Sequence, residues 1–144
     1  MAAKARLALS MLTCIRQNGI TNRSLSFTQK VLKAFTVNDN DEFMEKVMNS
    51  NVPVIVNFHA EWCEPCHILT PRLKELVGDS DNIHLAIVDV EQNAELVHTF
   101  EVKAVPAVIA IRNGLVIDKF IGLVDGDMID NLVQKLSPPP KDNK

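Results

Sequence analysis

Short runs rich in β-branched and apolar residues alternate along this chain with stretches in which apolar side chains recur every three or four positions. The first pattern is that of buried strands, the second that of helices with one face against a core. Strands are predicted over 31–37, 52–58 and 83–90, the middle one reading Val52-Pro53-Val54-Ile55-Val56-Asn57-Phe58. A helix is predicted from Asp39 or Asn40, either of which can cap it, to Asn49, with Phe43, Val47 and Met48 on its apolar face. A second starts at about Cys66, keeps helical spacing through Leu69, Leu73, Leu76 and Val77, and is expected to end near Gly78. Pro71 lies inside it and is expected to kink it, because proline lacks a backbone donor. A short helix over 93–100 follows, and the apolar runs 108–111 and 115–120 flank Asn113-Gly114, a strong hairpin signal. A last helix is predicted over 127–136, and Pro138-Pro139-Pro140 ends regular structure. Strands alternating with helices and then a hairpin predict an α/β fold, a central mixed β-sheet flanked by helices on both faces.

The 144 residues, 47% of them hydrophobic, suffice for one domain with a core, plus tails. No apolar run approaches the length needed to span a bilayer, so no membrane partner is expected. The acids read as a solvated surface, and no basic face points to nucleic acid. The net charge of −3 hides an asymmetry: residues 1–38 carry Lys4, Arg6, Arg16, Arg23, Lys30 and Lys33 and no acid, which leaves −9 on the rest. This basic segment is rich in Ser and Thr, and Leu7, Met11 and Ile15 share one face of a helix, the pattern of a transit peptide directing a protein to the mitochondrial matrix. A secretory signal fits worse, because the apolar stretch from Leu7 to Leu12 is short and lacks a small-residue cleavage site. Arg23-Ser24-Leu25-Ser26 matches a matrix-protease pattern. The expected division is therefore a transit peptide over 1–25, a domain over 26–137 and a short, disordered Pro/Lys-rich tail over 138–144. Cleavage after Leu25 removes Cys14 and leaves only Cys63 and Cys66. In a reducing compartment such a pair is expected to cycle rather than to staple the fold.

The chemistry is concentrated in Ala60-Glu61-Trp62-Cys63-Glu64-Pro65-Cys66, where a strand hands over to a helix. Cys63 is placed at or just before the helix N-terminus, where unpaired N–H groups and the positive end of the dipole stabilise a thiolate. The thiolate is the nucleophile of disulfide exchange. Cys63 is thus expected to attack a substrate disulfide, and Cys66, within the first turn, to resolve the mixed disulfide by attacking the Cys63 sulfur. Cys63 is expected to be the more exposed of the two. Pro65 keeps the intervening turn short and supplies no competing N–H. Zinc uses the same Cys-x-x-Cys spacing but needs two more ligands. Cys14 falls in the segment expected to be removed, His59 lies on the strand and His67 on the outer turn of the helix, so no metal is expected.

Trp62-Cys63-x-Pro65-Cys66 after an apolar strand, with Val105-Pro106 before another strand, resembles the thioredoxin family. The runs Phe58-His59-Ala60-Glu61-Trp62-Cys63, Pro71-Arg72-Leu73 and Val116-Ile117-Asp118-Lys119-Phe120-Ile121-Gly122 are similar to its mitochondrial branch, and the resemblance spans about Val31 to Leu136. It implies the thioredoxin fold and a monomeric protein-disulfide reductase. Such a protein is recharged by a flavoprotein thioredoxin reductase, where NADPH is spent, so the chain itself binds no cofactor. Its clients are disulfide-containing proteins such as peroxiredoxins. The resemblance also implies that Trp62 covers the site and docks substrate. A cis bond at Val105–Pro106 is implied too, exposing the Val105 backbone for strand-like pairing. Gly122 then lets the backbone approach the substrate groove. Ala107 stands where the family often has Thr.

Three further departures bear on the chemistry. Glu64 replaces the usual Gly; a carboxylate beside Cys63 opposes thiolate formation and raises its pKa, while His67, when protonated, partly offsets this. Asn57 occupies the place of a buried Asp that serves as general base, and Ile87 that of a Lys pairing with it. Losing both charges together leaves no unpaired buried ion. These departures also allow a second reading, a diverged client-binding module with weak redox turnover. A net oxidase or isomerase fits less well, because an acid that disfavours the thiolate makes the pair a weaker oxidant.

Overall fold

The computed structural model describes residues 33–122 and 124–137. The transit peptide and cleavage site expected in 1–25, and the tail expected over 138–144, lie outside these residues. Five strands, β1 (Ala34–Val37), β2 (Val54–His59), β3 (His84–Asp89), β4 (Ala107–Arg112) and β5 (Leu115–Ile121), form one sheet in the order β1-β3-β2-β4-β5. β3 runs parallel to both β1 and β2, whereas β2–β4 and β4–β5 are antiparallel, so the sheet is mixed as expected.

β2 is central, and its first five residues are all buried. Its alternate side chains serve two cores. Ile55, with Leu85, Ile87, Val108 and Ala110, packs against Leu69, Leu73 and Val77 of helix α2 (Glu64–Asp79) and Ile129, Leu132 and Leu136 of α4 (Gly126–Leu136). Val54, Val56 and Phe58, with Ala86, Val88, Ile109 and Ile111, pack against Phe43 of α1 (Asn40–Phe43) and Leu96 of α3 (Ala94–Thr99). Each fully buried Leu or Ile contributes about 1.5–3 kcal/mol. Because each of these pairs spans distant parts of the chain, the two cores fix strand order as well as burial.

The element boundaries differ from expectation in instructive ways. Asp39 caps α1 through its side chain, but the helix changes after Phe43 into a π-helical turn, Met44–Met48, closed by the Asn49 N–H donating to the Met44 carbonyl at 2.9 Å. Phe43, Val47 and half-buried Met48 still reach the same core. α2 begins at Glu64 and runs one residue past Gly78, because Ser80 rather than the glycine leaves the helical conformation. Pro71 lies inside α2 at an exposed position, and the helix continues through it to Asp79. At the hairpin, Asn113 and Gly114 both have positive φ, 53° and 72°, which Asn and Gly adopt at little expense. A register shift at Ala110/Ile111 then leaves Ile117 of β5 without a partner residue on β4.

Candidate active site

Cys63 is the N-cap of α2, with extended backbone. Its Sγ accepts from the Cys66 N–H at 3.3 Å, the bond that a serine or threonine oxygen makes at other helix starts. Pro65, in the first turn, contributes no N–H, so the Cys66 amide is the donor turned on the sulfur. Cys63 and Cys66 are joined in a disulfide with Cα atoms 5.3 Å apart. Both are buried, Cys63 at 3% exposure and Cys66 at 1%, so the greater exposure expected of Cys63 is marginal in this oxidised form. Ala60 shares their small apolar cluster, and half-buried Val90 and Val105 close it from the ends of neighbouring strands.

Around this pair the surface is open. Trp62 is 68% exposed, Ile68 of α2 projects outward beside exposed Pro65 and Glu64, and none of them is absorbed into the core. The Val105–Pro106 peptide bond is cis. Gly122 donates its N–H to the Pro106 carbonyl at 2.8 Å and has φ of 99°, a conformation that strains any residue with a Cβ. The structure thus brings Trp62, Val105, Pro106 and the cysteines to one end of the sheet, with Gly122 tied to Pro106. His67 is exposed, and its Nε2 donates to the Glu61 carbonyl at 2.8 Å, folding the ring over the loop that leads into Cys63.

Beneath the site, Asn57 is 0% exposed and lies beside Ile87 on β3 and Val108 on β4. Its Nδ2 donates to Thr70 Oγ1 at 2.9 Å, one helical turn beyond Cys66, while its Oδ1 has no hydrogen-bond partner among the described residues. The positions of the two departures, Asn57 and Ile87, are therefore direct neighbours, and no ion is buried there. Among the described residues no group of three or more His, Cys, Asp or Glu is placed to hold a metal ion.

A sequence model of the thioredoxin family, described simply as "Thioredoxin", matches residues 34–135. The chain belongs to the thioredoxin family. It is 43% identical over 115 residues to the mitochondrial thioredoxin of Mus musculus, covering 79% of this chain and 69% of that protein. It is 32% identical over 104 residues to the bifunctional thioredoxin reductase/thioredoxin of Mycobacterium leprae, covering 71% of this chain and 23% of that protein. Among solved structures, a single-site mutant of the thioredoxin from Halobacterium salinarum NRC-1 superposes with a TM-score of 0.67 at 27% identity, covering 73% of this chain and 91% of that one. With a dithiol pair at disulfide distance on a helix N-terminus, this thioredoxin-family chain is a dithiol/disulfide oxidoreductase. The second reading, a diverged client-binding module with weak redox turnover, is not favoured.

Two residues of this site were missed at the level of sequence. Thr70 and Asp89 line a cleft of ≈ 300 Å³ with His59, Glu61, Cys66, His67 and Pro71. Thr70 was within reach of sequence reasoning, four positions after Cys66 on one helix face. Asp89 was not, because only the β2–β3 register sets it opposite His59.

Proposed function

We propose that this chain is a mitochondrial protein-disulfide reductase in which Cys63 is the attacking nucleophile and Cys66 resolves the mixed disulfide. The observation that carries this assignment is the capping geometry. Cys63 Sγ receives the Cys66 N–H at the positive end of α2, so negative charge on that sulfur is stabilised by a donor already in place. Cys66 has no comparable position; it lies inside the first turn, past the capping position. Trp62, Val105, Pro106 and Gly122 form the docking surface for an extended client segment, while Glu64, Pro65, Asn57 and His67 tune the thiols. The clients are disulfide-containing proteins such as peroxiredoxins, met by a monomer.

The chain holds no cofactor of its own in this reading. A flavoprotein thioredoxin reductase spends NADPH and returns the disulfide to the dithiol, a partnership supported by the relative in which reductase and thioredoxin share one polypeptide. Location in the matrix is supported by the +6 charge of residues 1–38 and by relatives named as mitochondrial.

The deciding experiment is NADPH-driven disulfide reduction by the domain with a matched thioredoxin reductase. Turnover is expected in the wild type and is abolished in Cys63→Ser. A folded wild type that fails to turn over, with the reductase shown to be active, moves the assignment to a client-binding module.

A further inference from the structure

Cys66 must lose a proton before it can attack the Cys63 sulfur, and the buried residue below it, Asn57, cannot take one. The cleft beside Cys66 holds groups that can. Successive strand side chains alternate between sheet faces, so His59 shares the α2 face with Ile55 and Asn57, and Asp89 shares it with Leu85 and Ile87. His59 and Asp89 are register partners on adjacent parallel strands, and both line the ≈ 300 Å³ cleft together with Cys66 and Thr70. That volume has room for several waters. The cleft also reaches Thr70, the hydroxyl bonded to Asn57, whose own Oδ1 is an acceptor without a protein donor among the described residues. The imidazole, carboxylate and hydroxyl groups on its wall supply the several polar partners that a held water needs.

The titratable groups facing this cleft are His59 from β2, Asp89 from β3, Glu61 from the loop, and Cys66 and His67 from α2. They are not equivalent. His67 already donates to the Glu61 carbonyl on the outer surface, and Asp89 Oδ1 is engaged by the Glu91 N–H at 2.8 Å. His59 is half-buried, faces the helix that carries Cys66, and lines the cleft beside it. Imidazole is also the side chain whose ordinary titration falls between pH 5 and 8.

We propose that His59 is the proton relay for Cys66, acting through water in the cleft that both residues line. This rests on the reading of Cys66 as the resolving thiol. In the step, the Cys66 S–H proton passes through water to the imidazole, and the Cys66 thiolate attacks the Cys63 sulfur. The Cys63–substrate S–S bond breaks as the Cys63–Cys66 bond forms. The substrate sulfur leaves with the electron pair and takes up a proton, supplied by the imidazolium through the same water. The protein dithiol is oxidised to the disulfide and the substrate disulfide is reduced to two thiols.

The test follows single-turnover reduction of a model disulfide by the pre-reduced wild type across pH, with acid quenching to trap the mixed disulfide. The His59 imidazole is titrated in parallel by NMR. The expected result is that the rate of mixed-disulfide resolution rises with the same midpoint as His59. In His59→Gln that inflection is lost, resolution slows about 10²-fold near neutral pH, and the Cys63-linked mixed disulfide accumulates. A wild-type rate whose inflection does not coincide with the His59 midpoint overturns the relay, and this comparison stands even where the variant does not fold. A folded His59→Gln with an unchanged profile and no trapped intermediate overturns it as well. Failure of the wild type to reduce any disulfide overturns both this relay and the proposed function, whereas normal turnover with either of the preceding results removes the relay alone.

Discussion

At the first turn of α2, one carboxylate and one thiolate compete for the same positive helix end. Glu64 is exposed in that turn, immediately after Cys63, and its negative charge opposes charge on the sulfur. Glu64→Gly is therefore expected to lower the pH at which the Cys63 thiolate forms, read from thiolate ultraviolet absorbance during titration of the reduced protein. A midpoint that stays put or moves upward contradicts the electrostatic account. Asn57 makes a second residue-level case. Asn57→Asp introduces an acid at a fully buried position whose strand neighbour is Ile87. Burial raises the pKa of such a carboxyl, so the folded state holds its proton more tightly than the unfolded chain does. Its penalty is small in acid and grows as pH rises above the ordinary carboxylate range, reaching about 3 kcal/mol once the acid is ionised. Adding Ile87→Lys is expected to recover much of that loss. Urea unfolding at acidic and alkaline pH measures both effects; a loss independent of pH would indicate a packing defect instead. Introducing the acid should also place a new titration in the pH–rate profile, and an unchanged profile argues against a neutral core beneath the cysteines.

Among the elements, β3 carries the clearest pH signature. His84 opens the strand opposite Val54, and burial, followed by the nearby Lys33 charge, lowers its pKa from the usual 6.5. The unfolded chain then binds the proton more readily than the folded one. Stability is full above the ordinary histidine range and falls as pH drops below it. His84→Gln is expected to flatten this slope, so that the fall in Tm between about pH 7.5 and 5.5 is smaller than in the wild type. Equal slopes in the two proteins would assign the acid sensitivity elsewhere. The elements themselves were largely legible, because the strands are short runs rich in apolar residues and each main helix has a continuous apolar face. What pattern reading missed were local bond choices. The π-helical turn after Phe43 and the passage of α2 beyond Gly78 leave the same side chains in the core, so periodicity does not distinguish them. β5 has exposed Leu115, Val116 and Ile117 because it is a sheet edge, a placement that its apolar run and the Asn113-Gly114 turn do not reveal.

For the molecule as a whole, charge divides at the start of the sheet. The +6 of residues 1–38 precedes a remainder at −9, a difference suited to import of the first segment and solvation of the second. Residues 1–30 fused to a fluorescent reporter are expected to send it to mitochondria, and a diffuse cytosolic signal would remove the targeting assignment. The sequence by itself determined the reaction class. A Cys-x-x-Cys at a strand-to-helix junction, with a proline in the first turn, is short-range information. The helix end that Cys63 caps is built from the residues immediately after it. Family membership was equally legible, through motifs separated along the chain but constant in order. The surroundings of Cys66 were decided only in three dimensions. Asn57, Ile87, His59 and Asp89 come from two strands paired in parallel, a contact that requires α2 to cross between them, and no local pattern encodes that register. Asn57 reaches Thr70, and His59 and Asp89 the cleft beside Cys66, because side chains alternate along paired strands, so a one-residue slip of either strand would turn its two residues to the opposite face.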